Sequence, residues 1–424
     1  MTNDTTQDPG IHLPWAGKTV RMEEIEVVLA SLWKMSADNL RTGANVSVRT
    51  SILNLVICTP DIETAQRASR ILRELSSTHL ARVTILILDS REHAPSAFKA
   101  WVTLRCFSMI SDLMRHCFEQ TTILASGSAV RAVANIIQPL LKPDLPVYLL
   151  WLGDPPGQDD HTFNSLVEIS RRMIVDSTSF FKPEQDISTL SALFQTVPEC
   201  ALSDLNWGRI TPWRQLISQF FDVPEYRAYL TGVTSIEIEH SVAPLATQMR
   251  TELGDVSPNP ARALLLAGWL KERLGWSLAA ETMNNYRDTD SGTYYWSMAR
   301  LVTARATRSL TSTRTKTTTP GNIASISIRP RVHAEMRPGS ICLVRLISNL
   351  ENKQATFTIG LDDEMKLFMT SVELSYETGS RRSVSLAAVQ NESELLHDEL
   401  EILGHDYLFE QMLMEVTEML GEEQ

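Results

Sequence analysis

Between residues 50 and 175 the hydrophobic positions fall in short unbroken runs at 52–58, 83–88, 121–125, 147–152 and 173–175. Runs of this length predict strands covered on both faces, and therefore a mostly parallel sheet between layers of helix. The segments between them predict the helices: one capped by Asp61 and reaching about residue 77, then 97–119, 129–141, 162–172 and 187–195. Ahead of the first strand, Ile25, Val28, Leu29 and Leu32 make an i, i+3, i+4, i+7 stripe for a helix over 21–33. Residues 1–20 show no such period and read as a flexible arm.

After residue 200 the pattern changes. Residues 203–222 predict a helical segment with an internal restart: Thr211 is a suitable N-cap and Pro212 suits the first turn. Trp213, Leu216, Ile217, Phe220 and Phe221 then share one apolar face. Asn259-Pro260 repeats the cap-plus-proline start for a helix to about residue 274. Alternating segments at 233–239, 323–328, 341–346, 356–361, 367–374 and 384–386 predict an antiparallel sheet. A last amphipathic helix is expected from Leu396, Leu400, Leu403, Tyr407, Met412 or Leu413, and Val416. The expected organisation is an arm (1–20), an α/β domain with a mostly parallel sheet (21–200), and an α+β domain with an antiparallel sheet and an acidic C-terminal amphipathic helix (201–424).

Charge refines this picture. The net charge is −12 over 424 residues, and residues 391–424 hold 11 acidic side chains without a Lys or Arg. Residues 291–334 hold seven Lys or Arg and no acid. That stretch is threonine-rich and lacks interleaved aromatics, so nucleic acid is not expected as a partner. No apolar run reaches the roughly 20 residues of a membrane span. The N-terminus lacks the basic-then-apolar pattern of a signal peptide, so a cytoplasmic location is expected. The five cysteines have long spacings and no CxxC, which predicts buried thiols rather than a disulfide framework or zinc site. On the expected 97–119 helix, Cys106 and Cys117 would lie about 16 Å apart along the axis, beyond bonding reach.

The chain carries few recognisable chemical motifs. Gly17-Lys18-Thr19 ends like a phosphate-binding loop, but His12 stands where its first glycine belongs. Ser126-Gly127-Ser128 follows a strand, without a full dinucleotide fingerprint. The nine histidines form no HxH or HExxH pair, and no GxSxG occurs. Asp154, in the turn after the 147–152 strand, lies where α/β sheets hold ligands and could act as an acid or base. Catalytic, metal and cofactor residues are therefore not expected. Trp207 and Trp213 fit core anchors. Together with Arg209 and Arg214 beside them, they are also the residue types of interface hot spots, and these four are the candidate partner-binding residues.

The block DLNWGRITPWRQLISQFFD (204–222) closely resembles the signature segment of the cyanobacterial glucose-6-phosphate dehydrogenase assembly proteins of the OpcA type. PVYLLWLGDPP (146–156), TSIEIEH (234–240) and RALLLAGWLKERLGW (262–276) support it in the expected order. The resemblance implies a non-catalytic factor that binds glucose-6-phosphate dehydrogenase, favours its active oligomer and activates the entry step of the oxidative pentose phosphate pathway. It also implies a redox link through thioredoxin. Some members carry cysteines near the C-terminus; here none follows Cys342, so a dithiol switch of that kind is not expected. The alternative is a phosphosugar-binding or phosphosugar-converting α/β enzyme, with Asp154 near the reacting group.

Overall fold

The computed structural model describes residues 13–40, 46–48, 51–75, 81–91, 94–108, 114–157, 159–243, 259–279, 287–288, 290–300, 323–333, 335–361, 367–377, 380–385 and 390–421. Two compact units emerge. The first comprises residues 1–175, 199–201 and 392–404; the second comprises 176–198, 202–391 and 405–424. The expected arm up to residue 12 and most of the basic stretch, residues 301–322, lie outside the described residues.

The first unit is built on the parallel sheet that the apolar runs require. Its strands are β1 (Lys18–Val20), β2 (Val46–Val48), β3 (Leu53–Thr59), β4 (Ala81–Asp89), β5 (Ala97–Ser108), β6 (Met114–Ser126), β7 (Val147–Trp151) and β8 (Arg172–Val175). The spatial order is β1-β5-β6-β4-β3-β7-β8, with β2 alongside β6; the edge strand β9 (Ala201–Asp204) carries the chain out of this unit. Pairings among β6, β4, β3, β7 and β8 are parallel. All seven side chains of β3 are buried. The helix Ile62–Leu75 covers the sheet with Ala65, Ala68, Leu72 and Leu75.

Residues 97–119 are not a helix. β5 and β6 form a long antiparallel pair. Ala100, Trp101 and Val102 are buried in succession, which a strand covered on both faces allows and a one-sided helix does not. The consequence for the cysteines is equally direct. Cys106 and Cys117 stand opposite one another in that pair, with Cα atoms 4.0 Å apart, and are joined by a disulfide. Cys58, Cys200 and Cys342 are buried free thiols, as expected; burial pushes the last two up to about 12.

The acidic C-terminal segment forms two helices rather than one. Glu392–Glu401 belongs to the first unit, where Arg67 clamps Glu392 at 2.6 and 3.1 Å. Tyr407–Leu420 belongs to the second, and starts where Asp406 accepts from the N–H groups of Leu408 and Phe409. The stripe expected to run through Leu403 and Tyr407 breaks at this join, and both side chains are exposed.

The second unit contains β10 (Val233–Val242), β11 (Trp276–Leu278), β12 (Arg287–Asp288), β13 (Thr293–Arg300), β14 (Ile323–Val332), β15 (Ile341–Leu350), β16 (Lys353–Leu361), β17 (Phe368–Leu374) and β18 (Ser380–Ser385). They lie in the order β11-β13-β14-β10-β15-β16-β17-β18, with β12 beside β13. Every registered pair is antiparallel except β10 with β14. Inward side chains of this sheet meet the helices Thr211–Asp222 and Ala261–Arg273. The expected stripe of the first of these, Trp213 to Phe221, is buried throughout. Phe220 and Phe221 pack on Phe357 at 5.3 and 5.0 Å. The helix Ala261–Arg273 is covered nearly all round. Lys271, 1% exposed, gives its charge to Glu415 and Glu418 of the last helix. His240 points inward with Ile236 and Ile238, and burial pushes its pKa down to about 4.

Candidate functional site

Two places have the makings of a site. The first is the carboxyl edge of the parallel sheet in the first unit. Strand order reverses between β3 and β7, and doubly wound sheets bind ligands beyond the strand ends at such a reversal. The next helix would ordinarily offer its first-turn N–H groups to a phosphate. Here Asp61 fills that place, its Oδ1 accepting from the Thr64 N–H at 2.7 Å. Glu63 puts a second negative charge in the same turn. Across the reversal, Pro60 packs against Gly153: a Cβ there would meet the proline ring at 3.5 Å. A dinucleotide pyrophosphate would face two carboxylates instead of free donors, so these residues do not fit one.

The other sequence candidates on this sheet are turns. The Trp151 Nε1–H donates to the Asp154 carbonyl at 3.0 Å, tying that turn to itself. Ser126 donates to the Pro95 carbonyl at 2.6 Å instead of capping the short turn that follows. Gly17 has φ +98° and lies against the Val102 carbonyl, so Gly17-Lys18-Thr19 is the entry to an edge strand rather than a phosphate loop. Among the described residues no group of three or more His, Cys, Asp or Glu is placed to hold a metal.

The second place lies within the second unit, under the 204–222 block. Asp204 ends β9 and starts the short helix Leu205–Arg209, its Oδ1 accepting from the N–H groups of Asn206 at 2.9 Å and Ser177 at 3.1 Å. Asp176, 2% exposed at its side chain, takes a bidentate bond from Arg209 at 2.6 and 3.0 Å. Arg209 also donates to Thr178 Oγ1 at 3.0 Å and Asn206 Oδ1 at 2.9 Å. Arg262, in the first turn of Ala261–Arg273, donates to Asn206 Oδ1 at 2.8 Å and Ser340 Oγ at 3.0 Å. Asn259 caps that helix and donates to the carbonyls of Ser177, Thr178 and Phe180. Two carboxylates and two guanidiniums thus bind four chain segments, around residues 176–178, 204–209, 259–262 and 340, into one buried polar knot.

The electrostatics follow from this wiring. Burial pushes the Asp176 carboxyl up, but Arg209 and the bonds from Thr178 outweigh it and hold it below the usual range. Asp204 has no cation bonded to it among the described residues, and burial pushes it up to about 6 against the bonds from Ser177 and Asn206. Burial lowers Arg262 to about 10, helped by the neighbouring Arg209. Such a knot, with every charge bonded, sets geometry.

Of the four candidate partner-binding residues, two meet: Trp207 and Arg214. Trp207 is 4% exposed, and its Nε1–H donates to Asp406 Oδ2 at 2.9 Å. Arg214 stacks on that indole with its guanidinium carbon 3.5 Å from the ring centre, and donates to the Trp207 carbonyl and Thr211 Oγ1. Arg209, expected beside the tryptophans at the surface, has an 11% exposed side chain committed to Asp176. Trp213 stands apart, edge-on to Phe368 at 5.1 Å. The tryptophans are thus core anchors, and Arg214, like Arg209, is part-buried; burial lowers its pKa to about 10. Asp176, Asp204, Asn206 and Arg262 carry no signal in the sequence, although three of them lie in the segments 204–222 and 262–276. Polar residues opening a helix read as caps, and nothing local announces their distant partners.

Known proteins bear on both units. Residues 72–192 match the family described as "Glucose-6-phosphate dehydrogenase subunit N-terminal domain", and residues 200–413 match its C-terminal domain. Relatives named as OxPP cycle proteins OpcA, from Synechocystis sp. and Nostoc punctiforme, are each 34% identical over 161 residues, which is 38% of this chain. The matched segment spans 30% of the length of those relatives. A solved oxidoreductase from Bacillus cereus superimposes on 87% of this chain and 96% of its own, with a TM-score of 0.42 and 9% identity, too distant a likeness to carry a conclusion. With both domains matched in order, the chain belongs to the family of OpcA-type glucose-6-phosphate dehydrogenase assembly proteins.

Proposed function

We propose that this chain is a non-catalytic cytoplasmic partner of glucose-6-phosphate dehydrogenase, which binds the enzyme, promotes its active oligomer and activates it allosterically in the oxidative pentose phosphate pathway. The observation that carries the reading is the match of both subunit domains, over 72–192 and 200–413. The carboxylate-capped helix at Asp61 supports it, because the sheet's usual phosphate cradle is filled by the chain itself. An activator works only through differential affinity: a tenfold preference for the active state corresponds to about 1.4 kcal/mol. In this reading Trp207, Arg209 and Trp213 hold the partner-binding surface in shape from behind, and Arg214 reaches it. Thioredoxin enters as a redox input to the same complex.

The test is dehydrogenase rate against glucose 6-phosphate concentration, with and without the chain, under reducing and oxidising conditions. The expected result is a lower half-saturation or a higher maximal rate, with no turnover by the chain alone. An unchanged curve in both conditions overturns the proposal. Hydrolysis of 6-phosphogluconolactone by the chain above the spontaneous rate would favour the phosphosugar enzyme instead.

A further inference from the structure

The Cys106–Cys117 disulfide joins two unlike environments. Along β5 the cover thins toward the cysteine: Trp101 and Val102 are buried, Thr103, Leu104 and Arg105 are half-buried, and Cys106 is exposed. The strand register gives the reason. β1 lies along the outer edge of β5 only at Ala100–Val102, and among the described residues no strand pairs with that edge at Cys106. Cys117 stands on the inner strand of the pair. β6 is flanked by β2 at Met114–His116 and by β4 from Gln120 onward. Cys117 is 2% exposed, and Phe118, Glu119 and Gln120 after it are buried. One half of the disulfide therefore lies at the surface and the other in the interior. Cys58, Cys200 and Cys342 are buried free thiols, and burial holds all three above the ordinary thiol range. The disulfide thus has no reactive thiol of its own chain to exchange with.

We infer that Cys106–Cys117 is a thiol–disulfide exchange site, opened from the Cys106 side by an external thiol, and that its opening loosens the end of β6 that carries β2. A thiolate attacks Cys106 Sγ. The new S–S bond forms there as the bond to Cys117 breaks, and the electron pair leaves on Cys117 Sγ, which takes up a proton. A second thiol attacks this mixed disulfide and Cys106 leaves as a thiol. The chain thereby gains two electrons and two protons, and the external thiols are oxidised to their own disulfide. Attack on the Cys117 sulfur would require the reagent to enter the interior, so Cys106 is the point of attack. Exposure of this kind distinguishes disulfides that exchange from those that only brace a fold. The structural effect is local. Beyond the disulfide the β5–β6 register continues only through Phe107–His116 and Ser108–Arg115, and β2 rests on the same stretch of β6. Without the cross-link these few pairings alone hold that end.

The experiment uses the full chain alone, so its outcome does not depend on any dehydrogenase. The chain, purified in air without reductant, is treated under native conditions with glutathione or with dithiothreitol. It is then alkylated with iodoacetamide and mapped by peptide mass spectrometry, and hydrogen exchange is followed on the same samples. The glutathione adduct is expected on Cys106, and dithiothreitol is expected to open the disulfide without denaturant. Cys106 should then alkylate about tenfold or more faster than Cys117. Exchange of the amides at 46–48 and 114–116 should rise about tenfold or more on reduction. Cys106→Ser/Cys117→Ser should show that faster exchange with or without reductant; if it does not fold, the wild-type samples decide. A chain in which the disulfide never forms, a disulfide that opens only in denaturant, an adduct on Cys117, or exchange that reduction leaves unchanged overturns the inference.

Discussion

Arg209→Met separates a structural role for the 204–222 block from a contact role. The substitution keeps the length of the side chain and removes its charge. It leaves the Asp176 carboxylate buried without its bidentate partner. Removing one member of a buried ion pair costs about 3–5 kcal/mol, whereas Asn206 still receives a bond from Arg262, so the lower end, about 3 kcal/mol, is expected. With a urea slope of roughly 2 kcal/mol per molar, the midpoint of the second unit falls by about 1–2 M. The loss carries a pH signature. In the wild type Asp176 titrates below its ordinary range, so its contribution is present above the unfolded carboxyl pKa and is lost as pH falls through the folded one. In the variant the burial cost is opposed only by the bonds from Thr178, the carboxyl rises, and the variant is relieved by taking up a proton. The gap between the two proteins is therefore full at pH 7 and narrows toward pH 4. The double variant Asp176→Asn/Arg209→Met should recover much of the loss. The measurement is urea unfolding followed by tryptophan fluorescence, with dehydrogenase activation measured in the absence of urea. A midpoint unchanged within a few tenths of a molar, together with lost activation, would refute the structural role and make Arg209 a contact residue.

Other consequences of the geometry are as sharp. Glu415→Gln/Glu418→Gln strands the buried Lys271 charge and should cost about 3 kcal/mol, while Lys271→Met removes that charge and should cost under about 1; equal losses in urea melts would contradict the asymmetry. His240, held near pKa 4, makes the native state shed stability as pH falls from about 6.5 to 4, by roughly 3 kcal/mol. Asp204, raised to about 6, acts in the opposite sense over the same window, so the slope is read as the difference between wild type and His240→Leu; no difference would exclude the histidine as its source. Reduction of the Cys106–Cys117 disulfide, which closes an 11-residue separation, should lower the stability of the first unit by about 2–3 kcal/mol. Cys106→Ser/Cys117→Ser should melt at the same point with or without reductant.

What the sequence shows and what it hides divide along a physical line. The buried strands β3, β4, β7 and β8 were legible because burial on both faces leaves an unbroken apolar run. The stripe from Trp213 to Phe221 was legible because its period is local. The β5–β6 pair was not, since a dozen mixed residues satisfy a helical stripe as readily as a strand until the opposing strand is known. The cysteines show how much rides on that choice: separated on a helix, they are opposite one another on the pair. Asp61 was legible as a cap, but its consequence was not. Only the strand order places that cap at the reversal where a phosphate would sit. Asp176 and Arg209 are 33 residues apart, and a bond between them leaves no periodic trace.

The most specific stretch of the chain is also among its most internal. Leu205, Asn206, Trp207, Trp213, Leu216, Ile217, Phe220 and Phe221 are buried, and Asp204 and Arg209 are spent within the knot. A block under such dense constraint is recognisable because each residue answers to several neighbours at once, and that holds whether or not a partner touches it. Its specificity identifies the family without locating the contact. Arg214 is the exception the geometry allows. Its guanidinium rests on the Trp207 indole, and its two bonds go to neutral oxygens. A planar cation held in place this way has already lost its rotational freedom, so a carboxylate on a partner would gain the bond at little further entropic cost.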